Sequence, residues 1–211
     1  MTGASGTGFP VANSGGTILF VCTGNVCRSP FLELSLRHGL AQRRITSIAV
    51  RSAGTDALLR QPIAAPMADI LADANIDATT FRSRQLERQM VRSADLILTA
   101  ERSHRSVVAR LQPDALPRIF TLRQAARLVQ SAPSEAAIDN SANAASQLAM
   151  LIASGRVINH PSAGDGDDIP DPWQQPRSVY RSVAGMLKEP LDVLANALAA
   201  HQAAPSVQPE N

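Results

Sequence analysis

Cysteine is scarce in this chain: there are two among 211 residues. Two cysteines cannot staple a disulfide-dense secreted scaffold, so the composition reads as that of a reduced, cytoplasmic protein. Lysine is scarcer still. Lys188 is the sole lysine, and the rest of the fixed positive charge is arginine. With alanine so abundant, that bias reflects a GC-rich genome rather than a binding surface. No apolar run approaches the length of a membrane span, and the N-terminus lacks the basic region and apolar stretch of a signal peptide. A formal net charge of +2 is too small to demand nucleic acid or an anionic membrane as a partner. No Walker loop is present, because Lys188 stands outside any glycine-rich context. His38, His104, His160 and His201 are scattered and, with so few cysteines, make no metal-ligand spacing, so neither a metal nor a cofactor is expected. No internal repeat is found, and nothing in the sequence sets an oligomeric state.

What is present suits one globular domain: hydrophobic residues make up 45% and charged residues 18%, ordinary for a chain with a core. Residues 1–16, rich in Gly, Ser, Thr and Ala, read as a flexible tail, and 203–211 as a second one. Between them, 17–202 read as a single domain. Thr17 to Val21 is a continuous apolar run, as expected of a strand buried on both faces of a parallel sheet. A polar loop follows, then a helix from Pro30 to Gln42, with proline where the first turn tolerates it. Ile45 to Val50 reads as a second strand, followed by a turn at Ser52-Ala53-Gly54-Thr55. A helix over Ala64–Ala74, a strand over Asp95–Thr99, a helix over Glu101–Leu111 and a short strand over Arg118–Thr121 complete the alternation. Strands alternating with helices mean an α/β fold with a parallel sheet. The stretch 124–165 reads as an insertion carrying one helix near 142–154 and ending in a mobile acidic loop, Gly164 to Asp168. Pro176 to Ala200 has apolar residues at helical spacing and forms the last helix. The arginines at 82, 84, 88 and 92 read as a solvated face partly offset by Glu87.

The loop after the first strand carries the chemistry: Cys22-Thr23-Gly24-Asn25-Val26-Cys27-Arg28-Ser29-Pro30. A cysteine, five residues, an arginine and a serine, set between a strand and a helix N-terminus, describe a phosphate cradle built for nucleophilic attack. Five intervening residues let the backbone curl once, so that its N–H groups converge on an anion beside the positive end of the helix. Gly24 is expected to allow the tight turn, and Asn25 tolerates a left-handed conformation. Arg28 offers a planar fork that grips two phosphate oxygens. Cys22 lies on the floor, where the amides, the helix dipole and Arg28 favour its thiolate. Ser29 donates a hydrogen bond to the sulfur and favours it further.

These nine residues resemble the active-site loop of the low-molecular-weight protein tyrosine phosphatases. Ser52-Ala53-Gly54-Thr55, Arg82-Ser83-Arg84-Gln85-Leu86, Ala94-Asp95-Leu96-Ile97-Leu98-Thr99 and Ile169-Pro170-Asp171-Pro172-Trp173 follow in the family's order. The resemblance covers about 17–123 and 168–200. It implies a three-layer α/β fold of the phosphotyrosine phosphatase I type. In it a four-stranded parallel sheet carries helices on both faces, with the loop at the sheet's switch point. It also implies that Asp171 is the general acid, protonating the leaving phenolate and then activating water, a role typically worth 10²–10⁴-fold. Pro172 stiffens that loop. By the same resemblance Trp173 lines one wall of the substrate cleft and Leu58 the other. Thr23, Gly24, Asn25, Val26, Cys27 and Ser29 complete the substrate-binding set. In eukaryotic members a cysteine at the position of Cys27 forms a disulfide with the nucleophile and traps oxidised sulfur reversibly; a plain packing role is the alternative here.

Several family features are absent. Phe81 stands where many members have a histidine that supports the loop through Asn25, a link either lost or rebuilt. Arg60 replaces a common glycine, and Gln174-Gln175-Pro176-Arg177 replaces the glycine after the aromatic. The activity implied is hydrolysis of phosphotyrosine on protein through a phosphocysteine, with a bacterial tyrosine kinase as a family-level partner. Three rivals stand beside it. A thiol-dependent arsenate reductase shares the loop, but its further cysteines near the third strand are missing. A phosphoarginine phosphatase tends to carry threonine where Val26 leaves an apolar rim. A non-catalytic phosphate-binding module has only the lost histidine in its favour.

Overall fold

The computed structural model describes residues 15–132, 142–158 and 166–203. Four parallel strands form one sheet in the order β2-β1-β3-β4. They are β1 (Thr17–Cys22), β2 (Ala49–Gly54), β3 (Leu96–Thr99) and β4 (Ile119–Thr121). The helices are α1 (Arg28–Gln42), α2 (Ala65–Asp73), α3 (Arg88–Ser93), α4 (Arg102–Leu111), α5 (Leu122–Gln130), α6 (Ala144–Ile158) and α7 (Arg177–Ala203). A 3₁₀ turn, Pro113–Arg118, precedes β4.

Successive residues of a strand point to opposite faces, and the core divides accordingly. Ile18, Phe20, Val50, Leu96, Leu98 and Phe120 pack under α1, α2, α5, α6 and α7. Leu19, Val21, Ala53, Ile97 and Ile119 pack under α3, α4 and the 3₁₀ turn. Both faces are covered, as a parallel sheet requires. The chain runs from β1 outward to β2, then crosses back to β3 on the other side of β1. The loops after β1 and β3 therefore meet at the carboxyl edge of the sheet, where α/β folds place their ligands.

Three readings of the sequence are corrected. The second strand is not Ile45–Val50 followed by a turn but Ala49–Gly54, with Val50 beside Ile18 and Gly54 beside Cys22. Ile45 instead closes the end of α1, its N–H donating to the Leu40 carbonyl at 2.9 Å. A β-branched residue near a burst of apolar side chains imitated a strand start, while Ser52-Ala53-Gly54 looked like a turn but is wholly buried. Gly54 is required there, since a Cβ would lie 2.3 Å from the Thr23 carbonyl oxygen. Two helices, α3 and α5, were not expected. α5 begins at Thr121, whose hydroxyl accepts from Gln124 N at 3.3 Å, and buries Leu122, Ala125, Ala126 and Leu128. Within the stretch expected as an insertion, 133–141 and 159–165 lie outside the described residues. Its two helices pack into the core, where Gly155 lets α6 approach α5: a Cβ would meet Leu128 O at 2.3 Å.

The acidic loop is pinned where it is described. Arg123 donates to Gly166 O at 2.7 Å, Arg127 to Asp167 at 2.6 Å, and the Arg102 amide to Asp168 at 2.7 Å. Gly15, in the expected N-terminal tail, is likewise held: its N–H donates to Ser47 O, and its carbonyl accepts from Ala145 N, each at 3.0 Å. Residues 1–14 and 204–211 lie outside the described residues. No described helix is long and apolar enough to cross a membrane.

Candidate active site

Residues 23–27 curl between β1 and α1. The left-handed residue of the curl is Asn25, at φ 54°. Gly24, expected to supply the tight turn, has no positive φ. A Cβ there would stand 3.6 Å from Leu58, inside the cleft, so its bareness keeps the mouth open.

Cys22 lies on the floor, 2% exposed, with its sulfur 2.9 Å from Ser29 Oγ. Asn25 is fully buried behind the loop. Its amide donates to Ser29 Oγ and to Ser52 Oγ, each at 2.9 Å, and its carbonyl accepts the Arg84 amide at 2.9 Å. Ser52 in turn donates to Glu33 Oε2 at 2.6 Å, and Arg84 Nη2 lies 3.5 Å from the same oxygen. Glu33 as a carboxylate only accepts, so Ser52 donates to it, and the Asn25 amide nitrogen only donates. Ser52 points its proton at Glu33 and leaves a lone pair for Asn25; Asn25 occupies a lone pair of Ser29; the proton of Ser29 then has the sulfur at 2.9 Å as its nearer acceptor and Ala53 O at 3.4 Å as the farther one. The link from Asn25 is thus rebuilt through Arg84 and Ser52. Phe81 has joined the core at 6% exposure. Arg84, grouped by sequence with solvated arginines, is half-buried in this network.

Arg28 is 1% exposed. Its Nη1 donates to a Glu101 carboxylate oxygen and to Ile169 O at 2.8 Å; its Nη2 donates to Asp171 at 2.6 Å and lies 3.5 Å from Thr23 Oγ1. Its Nε is buried without a partner among the described residues. Burial pushes the Glu101 carboxyl up, but the hydrogen bond and charge of Arg28, with help from His104 and Ser103, hold it below the usual range. One turn along α4, His104 is buried with Nε2 2.8 Å from Thr23 Oγ1. Burial, with Arg28 adding, drives its pKa below 6.5 against the pull of Glu101, Asp171 and Asp168.

Ile169 ties the acidic-proline loop to the sheet. Its N–H donates to Ala100 O at 2.9 Å, and its own carbonyl meets Arg28. That places Asp171 over the cradle, with its second oxygen accepting Trp173 N at 3.1 Å. Gln174 then turns at φ 61°. The Tyr180 hydroxyl lies near the Gln174 backbone amide and the Cys27 thiol. Burial, with Asp171 and Cys22 nearby, pushes the Cys27 thiol up to about 12. Both cysteines are free.

The cleft above has a volume of about 160 Å³ and is lined by Cys22, Thr23, Gly24, Val26, Cys27, Asp56, Leu58, Asp171 and Trp173. An enclosed cavity of about 150 Å³ holds benzene, so there is room for one ring. Leu58 and Trp173 both line it, at 39% and 40% exposure. Eight of the eleven residues singled out by sequence line this cleft; Asn25, Arg28 and Ser29 lie in the loop behind it, with Ser29 on Cys22 and Arg28 on Asp171. The sequence reading missed Glu33, Ser52, Asp56, Arg84, Glu101, His104, Ile169 and Tyr180. The available signals were a lone acid in the apolar run of α1, and a Glu-x-x-His directly after a buried strand.

A strand–loop–helix curl at the switch point, with a cysteine on its floor and a carboxylate bonded to its arginine, places the chain in the α/β class that holds its site at the carboxyl edge of a parallel sheet. The family model of the low molecular weight phosphotyrosine protein phosphatases matches residues 17–140, and the chain belongs to that family. The match ends before the Asp171 loop. The low molecular weight protein-tyrosine-phosphatase Etp of Escherichia coli K12 is 38% identical over 98 residues, 46% of this chain and 63% of that protein. The protein-arginine-phosphatase of Geobacillus stearothermophilus is 26% identical over 185 residues, 88% of this chain and 97% of that protein. The crystal structure of the tyrosine phosphatase AmsI of Erwinia amylovora matches with a TM-score of 0.61 at 22% identity, covering 89% of this chain and 93% of that one. At that identity it shows the shared fold.

Proposed function

We propose that the protein hydrolyses aryl phosphate monoesters, phosphotyrosine on protein above all, through a phosphocysteine. The observation that carries this reading is Arg28, buried at the end of the loop that opens with Cys22, its Nε unpartnered among the described residues and its Nη2 2.6 Å from Asp171. The Cys22 thiolate attacks phosphorus; a sulfur–phosphorus bond forms as the bond to the aryl oxygen breaks. Asp171 gives its proton to that oxygen, then takes one from the water that attacks the phosphocysteine. Phosphate leaves and the thiolate returns. Arg28 and the loop amides hold the equatorial oxygens throughout. The need for a reduced thiol supports a cytoplasmic setting, and the relatives named tyrosine phosphatases support a bacterial tyrosine kinase as the source of substrate.

Cys22→Ser should abolish p-nitrophenyl phosphate hydrolysis, and vanadate should inhibit the wild type. Asp171→Asn should slow poor leaving groups most; equal loss across leaving groups would remove Asp171 from the acid role. A second reading, phosphoarginine hydrolysis, is supported by the near full-length match to an arginine phosphatase. Against it, Val26 and Leu58 give the cleft an apolar rim suited to a ring. Parallel hydrolysis of phosphotyrosine and phosphoarginine peptides decides between them. With only Cys22 and Cys27 to carry oxidation, arsenate reduction has less support; a thioredoxin-coupled assay tests it.

A further inference from the structure

A second concavity lies on the far side of the cradle helix. α1, α2 and α7 wall in a groove of about 430 Å³, within the roughly 300–1,000 Å³ of small-molecule sites. Its floor is apolar, built by Phe31, Leu36, Ile70, Leu71, Ala184 and Leu191. Its rim is cationic. Among the described residues Arg43 donates to neutral acceptors, Gly39 O at 3.0 Å and Asn196 Oδ1 at 3.2 Å. Arg181 makes no ion pair among the described residues. The one acid in the groove, Asp192, is already paired with Lys188 at 2.6 Å. Arg181 also lines an adjoining hollow that holds Asp69 and Asp73, where Asp69 is taken by Arg177 at 2.9 Å.

Two glycines in helix interiors line this groove, Gly39 on α1 and Gly185 on α7. Glycine weakens a helix, so each calls for a reason. Packing supplies none: a Cβ on Gly185 would meet nothing within 4 Å, and one on Gly39 only Arg43 Nη1 at 3.4 Å. Neither has a positive φ. What both do is widen the groove.

We propose that this groove is a binding site for a single-chain amphiphile with a carboxylate head, a free fatty acid. The chain lies on the apolar floor, and the head meets the unpaired guanidinium groups of Arg43 and Arg181. A concave slot walled by three helices admits one chain rather than a bilayer surface. The site is independent of the chemistry at Cys22.

Dodecanoate is the probe, titrated by calorimetry into the full-length protein below its micellar range. Saturable one-to-one binding with a Kd below about 1 mM is expected. Dodecanol should bind at least about tenfold more weakly, since it lacks the charge. Gly185→Leu fills the groove and should weaken dodecanoate at least about tenfold, while Gly185→Ala, a small fill, keeps it within about threefold. Thermal melts confirm that each variant folds. Arg43→Ala with Arg181→Ala reads the head group without touching the floor; it should cost dodecanoate about tenfold and leave dodecanol unchanged. Absence of saturable binding, or dodecanoate binding indifferent to both Gly185→Leu and the double arginine variant, overturns the proposal. A concentration-dependent dimer abolished by Gly185→Leu overturns it too, and gives the groove to a second copy of the chain.

Discussion

Asn25→Ala should unfasten the cradle from behind without touching a residue that lines the cleft. Asn25 makes three buried hydrogen bonds at 2.9 Å, to Ser29, Ser52 and the Arg84 amide, from a left-handed φ of 54°. The two hydroxyls can turn elsewhere: Ser52 keeps Glu33, and Ser29 has Ala53 O at 3.4 Å. The Arg84 amide has no such freedom, and leaving it unpaired costs roughly 1–3 kcal/mol. Holding alanine in the left-handed region adds about 1 kcal/mol. The loss of stability should therefore be about 2–4 kcal/mol in urea unfolding, and Asn25→Gly, free of the backbone strain, should lose about 1 kcal/mol less. Activity reports a different term. With its lone pair no longer occupied by Asn25, Ser29 can swing its proton from Cys22 to Ala53 O. A hydrogen bond to a charged group is worth about 1.5–3 kcal/mol, so kcat/KM for p-nitrophenyl phosphate should fall roughly 10- to 150-fold in both variants. If both variants unfold within about 0.5 kcal/mol of wild type and keep activity within about twofold, the network does not orient Ser29 and the reasoning fails.

Acid should destabilise the protein through His104. The unfolded chain takes up a proton as pH falls through 6.5, while burial holds the folded value lower. Stability is thus full above that pH and declines below it until the folded value is reached; His104→Gln should flatten the decline in urea melts across that window. Iodoacetate should label Cys22 in the folded protein, with orthophosphate slowing the reaction. Cys27, buried and pushed up to about 12, should stay unlabelled until urea unfolds the chain, as peptide mapping would show; equal labelling of both in the fold refutes this. Arg60 and Gln174 sit at φ 59° and 61°. Glycine at either should leave stability unchanged or raise it by up to about 1 kcal/mol, whereas valine should lower it by more than 1 kcal/mol in the same melts.

Those two residues also show what a sequence carries and what it withholds. The cradle was legible because its chemistry is local: Cys22 to Ser29 is one strand end, one curl and one helix start, and each residue type has a reason within that span. Arg60 and Gln174 were legible only as departures, places where the family carries glycine. The structure supplies the cause in a left-handed backbone that both side chains tolerate, with Arg60 N bonded to Ser83 O at 3.0 Å. β2 was misplaced for the opposite reason. Its buried end is Ser52-Ala53-Gly54, and nothing in those side chains announces burial, because what selects them is the approach of the loop carbonyl of Thr23.

The same distinction explains the missed half of the site. Glu101 and His104 follow β3, and β3 lies beside β1 only because the chain crosses over after β2. A separation of 73 residues between Arg28 and Glu101, and of 143 between Arg28 and Asp171, gives neither acid any local signature. Asp171 was found through the proline and aromatic beside it; Glu101 had no such flag. Yet the fold makes both necessary. A guanidinium at 1% exposure needs carboxylates or carbonyls around it. The sheet's switch point is where the loops after β1 and β3 can supply them together. The acid at the start of α4 is the first carboxylate after β3, and the crossover sets it against Arg28.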